Sequence, residues 1–417
     1  MSSPFLPKLS KYLLVVHLTC FACVNAEVER VSITLDEAIC RTFMVSPQLK
    51  VSEAEVQIEE GDLTQAGLYP NPVIGYSVEN VLGNKSWRGW KSAESRYEIA
   101  QLIELGCKRS NRIAASRYEV YAALAGYEAS KLSLLNSLTK AIVDIAAAQE
   151  RYQLAANKKE MGEQMLSTIS AKASAGKVSM IQQKNAEIAL LDLDVELESS
   201  LLALESSREA LSLFWGRCQP DFDWVDFDFF ALECPQNCST YIQGLTSNPE
   251  LLQSQFEYLS AQHNFKLEKS NAIPDLIVTL GYKTEQKEHH SGMIIGAEIP
   301  LPIFNQNQGN IGRACGEINR TREAYAQLHF ILESRLTHAH RELTKAYHIA
   351  NQLQTKVLQA AQQAFDYAND GYTEGKFEYI DLLIAQEKLY DIKEKLIDAL
   401  QDYHQRRADI EYLNSTD

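Results

Sequence analysis

Residues 371–389, GYTEGKFEYIDLLIAQEKL, lie between two long stretches that have the pattern of helix. Two glycines and Asp381 interrupt what would otherwise be one very long helix. Residues 175–190, AGKVSMIQQKNAEIAL, have the same outline about 200 positions earlier. Because glycine adopts left-handed backbone angles at little cost, we expect a tight reversal at Gly371 and Gly375. The similarity between the two segments indicates that the chain contains an internal repeat.

Helices of unusual length dominate both copies. Glycine and proline are nearly absent, and apolar residues recur at intervals of three and four, over residues 107–170, 177–214, 309–370 and 376–413. A helix of about 60 residues is ~90 Å long at about 1.5 Å per residue, far longer than a compact domain needs. The sequence therefore predicts, in each half, a long helix and a shorter returning helix.

The rest of the repeat precedes these helices. SPQL at 46–49 matches NPEL at 248–251, and Pro72 and Pro274 keep the same offset. Two strand-like runs follow in each half: VIGYSVE and RYEIAQLI, then DLIVTLGYK and MIIGAEIPL. Each half is thus predicted as helix, β-hairpin, long helix, helix. The predicted bounds are 27–220 with a hairpin at about 73–104, a linker at 221–240, and 241–417 with a hairpin at about 275–303.

The predicted strands have one apolar and one polar face. Leu276, Val278, Leu280 and Tyr282 alternate with polar or small residues, the pattern of a sheet with one wet side. Open sheet edges are excluded from lipid, so strands in a membrane would have to close with those of other chains. Two chains would give eight strands and a filled interior, and three would give twelve and a pore. A soluble hairpin packed on a helix bundle is the alternative.

Composition and the N-terminus limit the function classes. The formal charge of −15 is spread along the chain and argues against nucleic acid as a partner. Residues 1–26 have two lysines, an apolar run and small residues, the outline of a secretory signal peptide; a lipoprotein signal ending at Cys23 is the alternative. Export permits a disulfide within the cysteine-containing segment 218–238.

Motifs for catalysis are missing from the sequence. His338 and His340 are two apart on a helix, so they do not face one another, and neither a phosphate cradle nor a nucleophile elbow is present. The loop sequence EHH at 288–290 is a weak candidate for a metal ion. We therefore expect no enzyme, no cofactor and no structural metal.

Several segments, in the order in which they occur, resemble the TolC family of outer-membrane channel proteins. They are GLYPNP at 67–72, QLIELGCKR at 101–109, NPEL at 248–251, IPLPIFNQNQGNI at 299–311, and residues 371–389 quoted above. IELGCKR is similar to the IELGGKR segment of the heavy-metal cation efflux branch, with Cys107 replacing a glycine. The resemblance implies a mainly α chain with a β-barrel part. Three chains would each give four strands to one outer-membrane barrel and helices to a long periplasmic α-helical barrel.

The resemblance also implies partners and a function. A homotrimer in outer-membrane lipid would meet a periplasmic adaptor protein and an inner-membrane pump. The leading hypothesis is a passive exit duct of a tripartite efflux system, with metal cations as the expected cargo. A duct for type I protein secretion or multidrug efflux is the alternative within the family. An exported coiled-coil scaffold without a pore is the alternative from another class.

By resemblance, the segments after Gly176 and Gly375 are the helix tips at the periplasmic entrance. Tyr372 matches a tyrosine that latches the closed entrance, and Asp381 matches one aspartate of an acidic ring. The chain departs from the multidrug type, so the latch is expected to use other residues of the second tip instead; the candidates are Lys376, Glu374 and Glu378. The helix-tip turns are assigned to Gly176, Lys177, Gly371 and Gly375.

Asp381 has a second interpretation. An acidic residue near a helix N-terminus is favoured by the helix dipole whether or not it lines a pore. Gln182 occupies its place in the first half, so an acidic ring would contain one aspartate per chain, three in all.

Overall fold

The computed structural model describes residues 32–81, 83–87 and 89–414. The predicted signal peptide at 1–26 lies outside these residues. None of the helices in these ranges is both long enough and apolar enough to cross a membrane.

The first half contains two short helices, a β-hairpin and a pair of long helices. Its elements are β1 (Ser32–Thr34), α1 (Leu35–Val45), α2 (Pro47–Ala66), β2 (Val73–Glu79), β3 (Glu94–Ile103), α3 (Lys108–Ser174) and α4 (Met180–Ser212). At 67 residues, α3 is about 100 Å long. Ser179 begins α4 as an N-cap whose hydroxyl accepts the N–H of Gln182.

The second half repeats this order. Its elements are β4 (Trp224–Asp226), α5 (Cys238–Gly244), α6 (Pro249–Asn271), β5 (Leu276–Glu285), β6 (His290–Glu298), α7 (Gln308–Gln352), α8 (Leu358–Thr373) and α9 (Tyr379–Asn414). A π-helical turn at Leu353–Val357 joins α7 to α8. The predicted duplicated order of helix, hairpin, long helix and helix is confirmed. The predicted domain boundaries stay predictions, and the segment proposed as a linker contains β4 and the start of α5.

The long helices form a strip. α3 packs between α4 and α9, and α8 packs on the far side of α9, so the order is α4, α3, α9, α8. The core of the strip lies at mid-length, where fully buried Leu138 and Ile142 of α3 meet Leu204 and Leu211 of α4. A parallel pairing of β1 with β4 covers this cluster. Burying each such aliphatic side chain contributes roughly 1.5–3 kcal/mol.

Residues 229–233, in the segment between the two repeats, are hydrogen-bonded to helices of the strip. The hydroxyl of Tyr403 donates to the Glu233 carbonyl (2.9 Å) and accepts the Glu233 N–H (3.0 Å). His404 donates Nε2–H to the Phe229 carbonyl at 2.9 Å, because a carbonyl can only accept. Gln354, in the π turn, donates to the carbonyl of Phe230. These bonds attach the connection to α9 and to the π turn.

The four hairpin strands form one antiparallel sheet in the order β2, β3, β5, β6. The register places Tyr76, Tyr97, Tyr282 and Met293 side by side. The face that carries them is apolar and exposed; its large side chains are Ile74, Tyr76, Tyr97, Ile99, Leu280, Tyr282, Met293 and Ile295. The other face carries charge, with an ion pair between Lys283 and Glu94.

The IELGCKR segment forms the junction between strand β3 and helix α3. Gly106 and Cys107 have left-handed backbone angles, with φ of 70° and 63°. Asn307 has φ of 60° at the matching point before α7. Lys108 then forms an ion pair of 2.6 Å with Asp275, whose carboxylate also accepts the N–H of Leu105. A glycine at position 107 would adopt this geometry without strain, which is why glycine suits the similar segment.

Candidate functional site: the paired helix tips

Both tips reverse the chain with the same hydrogen-bonded turn. At the first tip, Gly176 N–H donates to Ala173 and Lys177 N–H to Lys172. At the second tip, Gly375 N–H donates to Tyr372 and Lys376 N–H to Gly371. This is the Schellman pattern, which needs a left-handed residue after the helix end. Gly176 and Gly375 supply it, with φ of 71° and 75°.

Gly371 has a different role from the one expected. It lies inside the last turn of α8 and is buried, and its φ is not left-handed. A Cβ on Gly371 would overlap the Phe377 ring. Gly371 belongs to the turn through its carbonyl, which accepts the Lys376 N–H, but the expectation that it takes left-handed angles was wrong, because of the two glycines only Gly375 does so. Gly371 is required sterically, since it leaves room for Phe377 to fold back over the end of the helix.

Tyr372 joins the second tip to the first. Lys172, at the end of α3, donates to the Tyr372 hydroxyl at 2.5 Å, and its Nζ lies 3.9 Å from the centre of the Tyr372 ring. A cation over a ring face and a charged hydrogen bond act here on one pair of side chains. The ring of Tyr379 lies 6.1 Å from that of Tyr372, and burial raises the pKa of Tyr379. The tips are thus tied within one chain.

Asp381 lies closer to the helix start than the sequence suggested. The returning helix begins at Tyr379, not at 376, so Asp381 is its third residue. Its carboxylate accepts the N–H of Glu378 at 3.1 Å, as the acidic member of a capping box does. Asp381 is also exposed. A capping role is therefore visible, and the exposed carboxylate remains available to solvent.

The other residues expected at the tips are exposed. Lys376 and Glu374 form an ion pair with each other, but both side chains are mostly in solvent. Such a pair contributes little stability. Lys177 and Glu378 are also exposed. None of these contacts crosses to the first tip, in contrast to the bond between Lys172 and Tyr372.

The two tips carry opposite charge. Residues 170–184 contain three lysines and no acidic residue. The matching residues 369–383 contain four acidic residues and one lysine. The first tip is therefore basic and the second acidic, with formal charges of +3 and −3. This difference was visible in the sequence, and it indicates attraction between the two tips without specifying which residues meet.

No metal centre is built in the described ranges: no group of three or more His, Cys, Asp or Glu residues there could hold a metal ion. His290, the first residue of β6, has its Nδ1 3.4 Å from the carboxylate of Glu288 in the preceding loop. The cysteines at 40, 107, 218, 234, 238 and 315 are free thiols, so the disulfide considered for 218–238 is not formed.

Known proteins are similar to this chain in sequence and in fold. The family model described as outer membrane efflux protein matches residues 41–217 and 241–413. The cobalt-zinc-cadmium resistance protein CzcC of Cupriavidus metallidurans is 29% identical over 379 residues, which cover 91% of this chain and 89% of the relative. Two solved structures are similar in fold. The CmeC outer membrane channel of Campylobacter jejuni has a TM-score of 0.72 at 15% identity, covering 91% of this chain and 85% of that one. A crystal structure of CusC has a TM-score of 0.69 at 16% identity, covering 94% and 95%.

Proposed function

Because this chain belongs to the outer membrane efflux protein family, we propose that it is the exit duct of a tripartite efflux system and carries metal cations. It is an efflux channel of the outer membrane and not an enzyme. In the proposal the duct is passive. A periplasmic adaptor and an inner-membrane pump supply the driving force and the opening of the tips.

The sheet carries the argument for a duct. Its apolar face is exposed: Ile295 and Met293 of β6 are 78% and 79% accessible, and Ile74 of β2 is 82% accessible. A soluble protein would bury such a face, whereas lipid covers it without cost. The opposite face, with Glu98 and Lys283, suits water.

The sheet edges support a homotrimer. β2 and β6 each pair on one side alone within the described chain. An unpaired edge in lipid leaves N–H and C=O groups unsatisfied, so the edges must meet those of other copies. Three copies give twelve strands, enough for a pore, and place the long helices side by side around the same axis.

Metal cations are favoured as cargo by the relatives. The printed name of CzcC describes cobalt, zinc and cadmium resistance, and that of a second relative, CnrC of Cupriavidus metallidurans, describes nickel and cobalt resistance at 23% identity. The acidic second tip adds a physical reason, because negative potential raises the local concentration of cations at an entrance.

Conductance and the mass of the assembly test whether the protein is a trimeric duct. Full-length protein, extracted with detergent and inserted in planar bilayers, should conduct ions and should have the mass of three chains. Extraction without detergent, or an absence of conductance, would support an exported scaffold instead. For the cargo, cells that lack the protein should accumulate cobalt, zinc or cadmium and regain tolerance when it is restored. Restored export of a protein or of organic drugs, without a change in metal content, would favour the other types of duct.

A further inference from the structure

A cavity of about 500 Å³ lies where α2 and α6 both pack on α3, next to the junction with the sheet. Polar side chains from all three helices line it: Asp62 and Gln65 of α2, Ser116 and Glu119 of α3, and Asn264 of α6. Each of these side chains carries an oxygen that can accept a hydrogen bond. The helix packing therefore brings five oxygen-bearing side chains to one cavity.

The lining of this cavity has more negative than positive charge. Among the described residues that form it, Asp62, Glu104 and Glu119 are acidic and Arg112 is basic. Glu104 and Arg112 form an ion pair at 2.7 Å, whereas the hydrogen-bond partners of Glu119 are two neutral side chains of α6. The carboxylates of Asp62 and Glu119 are thus the surplus charge. Such a surplus attracts a cationic ligand.

Glu59, three residues before Asp62 on α2, is affected by the same charges. Burial raises the pKa of Glu59, and the carboxylates of Glu119 and Asp62 raise it further. Like charges that lie close together disfavour the ionised form in this way. The raised pKa of Glu59 therefore supports a group of carboxylates whose mutual repulsion a bound cation would relieve.

Ser116 gives a second observation that does not depend on charge. It lines the cavity and is only 6% accessible, yet its hydroxyl has no hydrogen-bond partner within the described chain. A buried hydroxyl without a partner costs free energy, so such groups are uncommon in folded proteins. Ser116 and Glu119 are three residues apart and share one face of α3. A ligand with several N–H donors would bond to both of them.

We propose that this cavity binds a small organic cation with primary ammonium groups on an alkyl chain. An ammonium group has three N–H donors and a positive charge, which match the acceptors of Asp62, Ser116 and Glu119. The volume suits a small molecule rather than one metal ion, and no group of three His, Cys, Asp or Glu residues in the described ranges could hold a metal. Leu68 and Ala115 of the lining suit methylene groups. The site goes beyond the proposed duct and does not require metal cargo.

Binding of putrescine, 1,4-diaminobutane, to full-length protein in detergent tests this site. Titration calorimetry should show saturable binding, and putrescine should raise the temperature of thermal unfolding. The uncharged analogue 1,4-butanediol should not bind, and an equal concentration of Mg²⁺ should not displace putrescine. Absence of putrescine binding, or displacement by Mg²⁺ at that concentration, would overturn the proposal.

A matched pair of variants on α2 locates the binding. Asp62→Asn should weaken putrescine binding about tenfold, because a charged hydrogen bond is lost. Glu60→Gln removes one negative charge from an exposed residue on another face of the same helix, and it should bind as wild type. Equal affinity of the two variants would mean that general charge, and not this cavity, attracts the diamine.

Ser116→Ala separates a ligand contact from a structural role. Since the hydroxyl has no partner within the described chain, its removal should not lower the unfolding temperature measured without ligand. It should still weaken putrescine binding about fivefold, through the lost acceptor. Unchanged affinity, or a loss of stability without a loss of affinity, would contradict the assignment. Conductance is measured separately, so the failure of this site and the failure of the duct are distinguishable.

Discussion

Lys172 and Tyr372, 200 residues apart in the chain, form one contact in which the ammonium group bonds to the hydroxyl at 2.5 Å and lies over the ring. This contact joins the end of α3 to the end of α8, the two helices that enter the tips. Lys376 and Glu374, two of the residues that the sequence suggested for a latch, pair with each other within the second tip, and a latch at the entrance stays a prediction.

If this contact holds the entrance closed, its loss should open the duct. Lys172→Met should raise the conductance of the protein in planar bilayers, because both the hydrogen bond and the cation over the ring are lost. Tyr372→Phe should raise it less, since the ring is kept. Exposed Lys388 changed to Met is the control and should conduct as wild type. Equal conductance for all four proteins would exclude a latch here.

Asp381 caps the start of α9 through a hydrogen bond and also places a negative charge at the tip. Two substitutions distinguish the hydrogen bond from the charge. Asp381→Asn keeps an acceptor for the Glu378 N–H but removes the charge, so it should weaken block by divalent cations with little loss of stability. Asp381→Ala should weaken the block equally and also destabilise the start of α9 by about 0.5–1 kcal/mol. Conductance with and without divalent cations, together with thermal unfolding, distinguishes them. Unchanged block in both variants would leave Asp381 with a capping role alone.

Gly371→Ala should open the second tip locally. The new methyl group would occupy space that the Phe377 ring fills, so the ring must leave its place over the end of α8. We expect trypsin to cleave after Lys376 about tenfold faster, a measure of local opening. Gly316→Ala in α7, where a Cβ meets nothing within 4 Å, should cleave as wild type. Adding Phe377→Ala to Gly371→Ala should relieve the clash; if it does not, the steric explanation is wrong.

The two faces of the sheet can be tested with one substitution at adjacent residues. Ile295 lies on the apolar face opposite Leu280, and Ile294 on the other face opposite Gly281. A lysine that faces lipid near the membrane centre destabilises a barrel by ~2–4 kcal/mol, whereas a lysine on the face that contacts water is tolerated. Ile295→Lys should therefore reduce the protein assembled in the outer membrane, and Ile294→Lys should not. The opposite order would mean that the faces are assigned the wrong way round.

His404 should make the fold sensitive to acid. Burial lowers its pKa below the usual 6.5, partly opposed by its bond to the Phe229 carbonyl and by Asp228 and Glu411, while Arg407 adds to the lowering. The unfolded chain thus binds a proton more readily than the folded one. The stability from neutral His404 is complete above the unfolded pKa and is lost as the pH falls below it.

Thermal unfolding from about pH 8 to about pH 5 measures this effect. His404→Gln keeps an N–H for the Phe229 carbonyl but does not titrate, so it should lose less stability than wild type on acidification. His338→Gln, at an exposed position, should behave as wild type. An identical pH profile for wild type and His404→Gln would remove His404 as the cause.

Local pattern was sufficient for the elements. The period of the apolar residues and the scarcity of glycine placed the long helices within a few residues of their ends. The alternation in residues 276–282 placed β5, and the repeated glycine-lysine pairs placed both turns. These features depend on neighbours in the sequence, so one sequence contains enough information for them.

Tertiary structure decided which distant residues meet. The order α4, α3, α9, α8 depends on packing among helices, and the register across β3 and β5 joins residues that are 173 to 191 positions apart. The contact of Lys172 with Tyr372, and the need for glycine at 371, follow from the path of Phe377 and the approach of two tips. Pattern cannot specify such contacts, because a helix face defines what must be covered and not which segment covers it. The sequence thus determined the parts and their repeat, and packing of the two repeats determined the site.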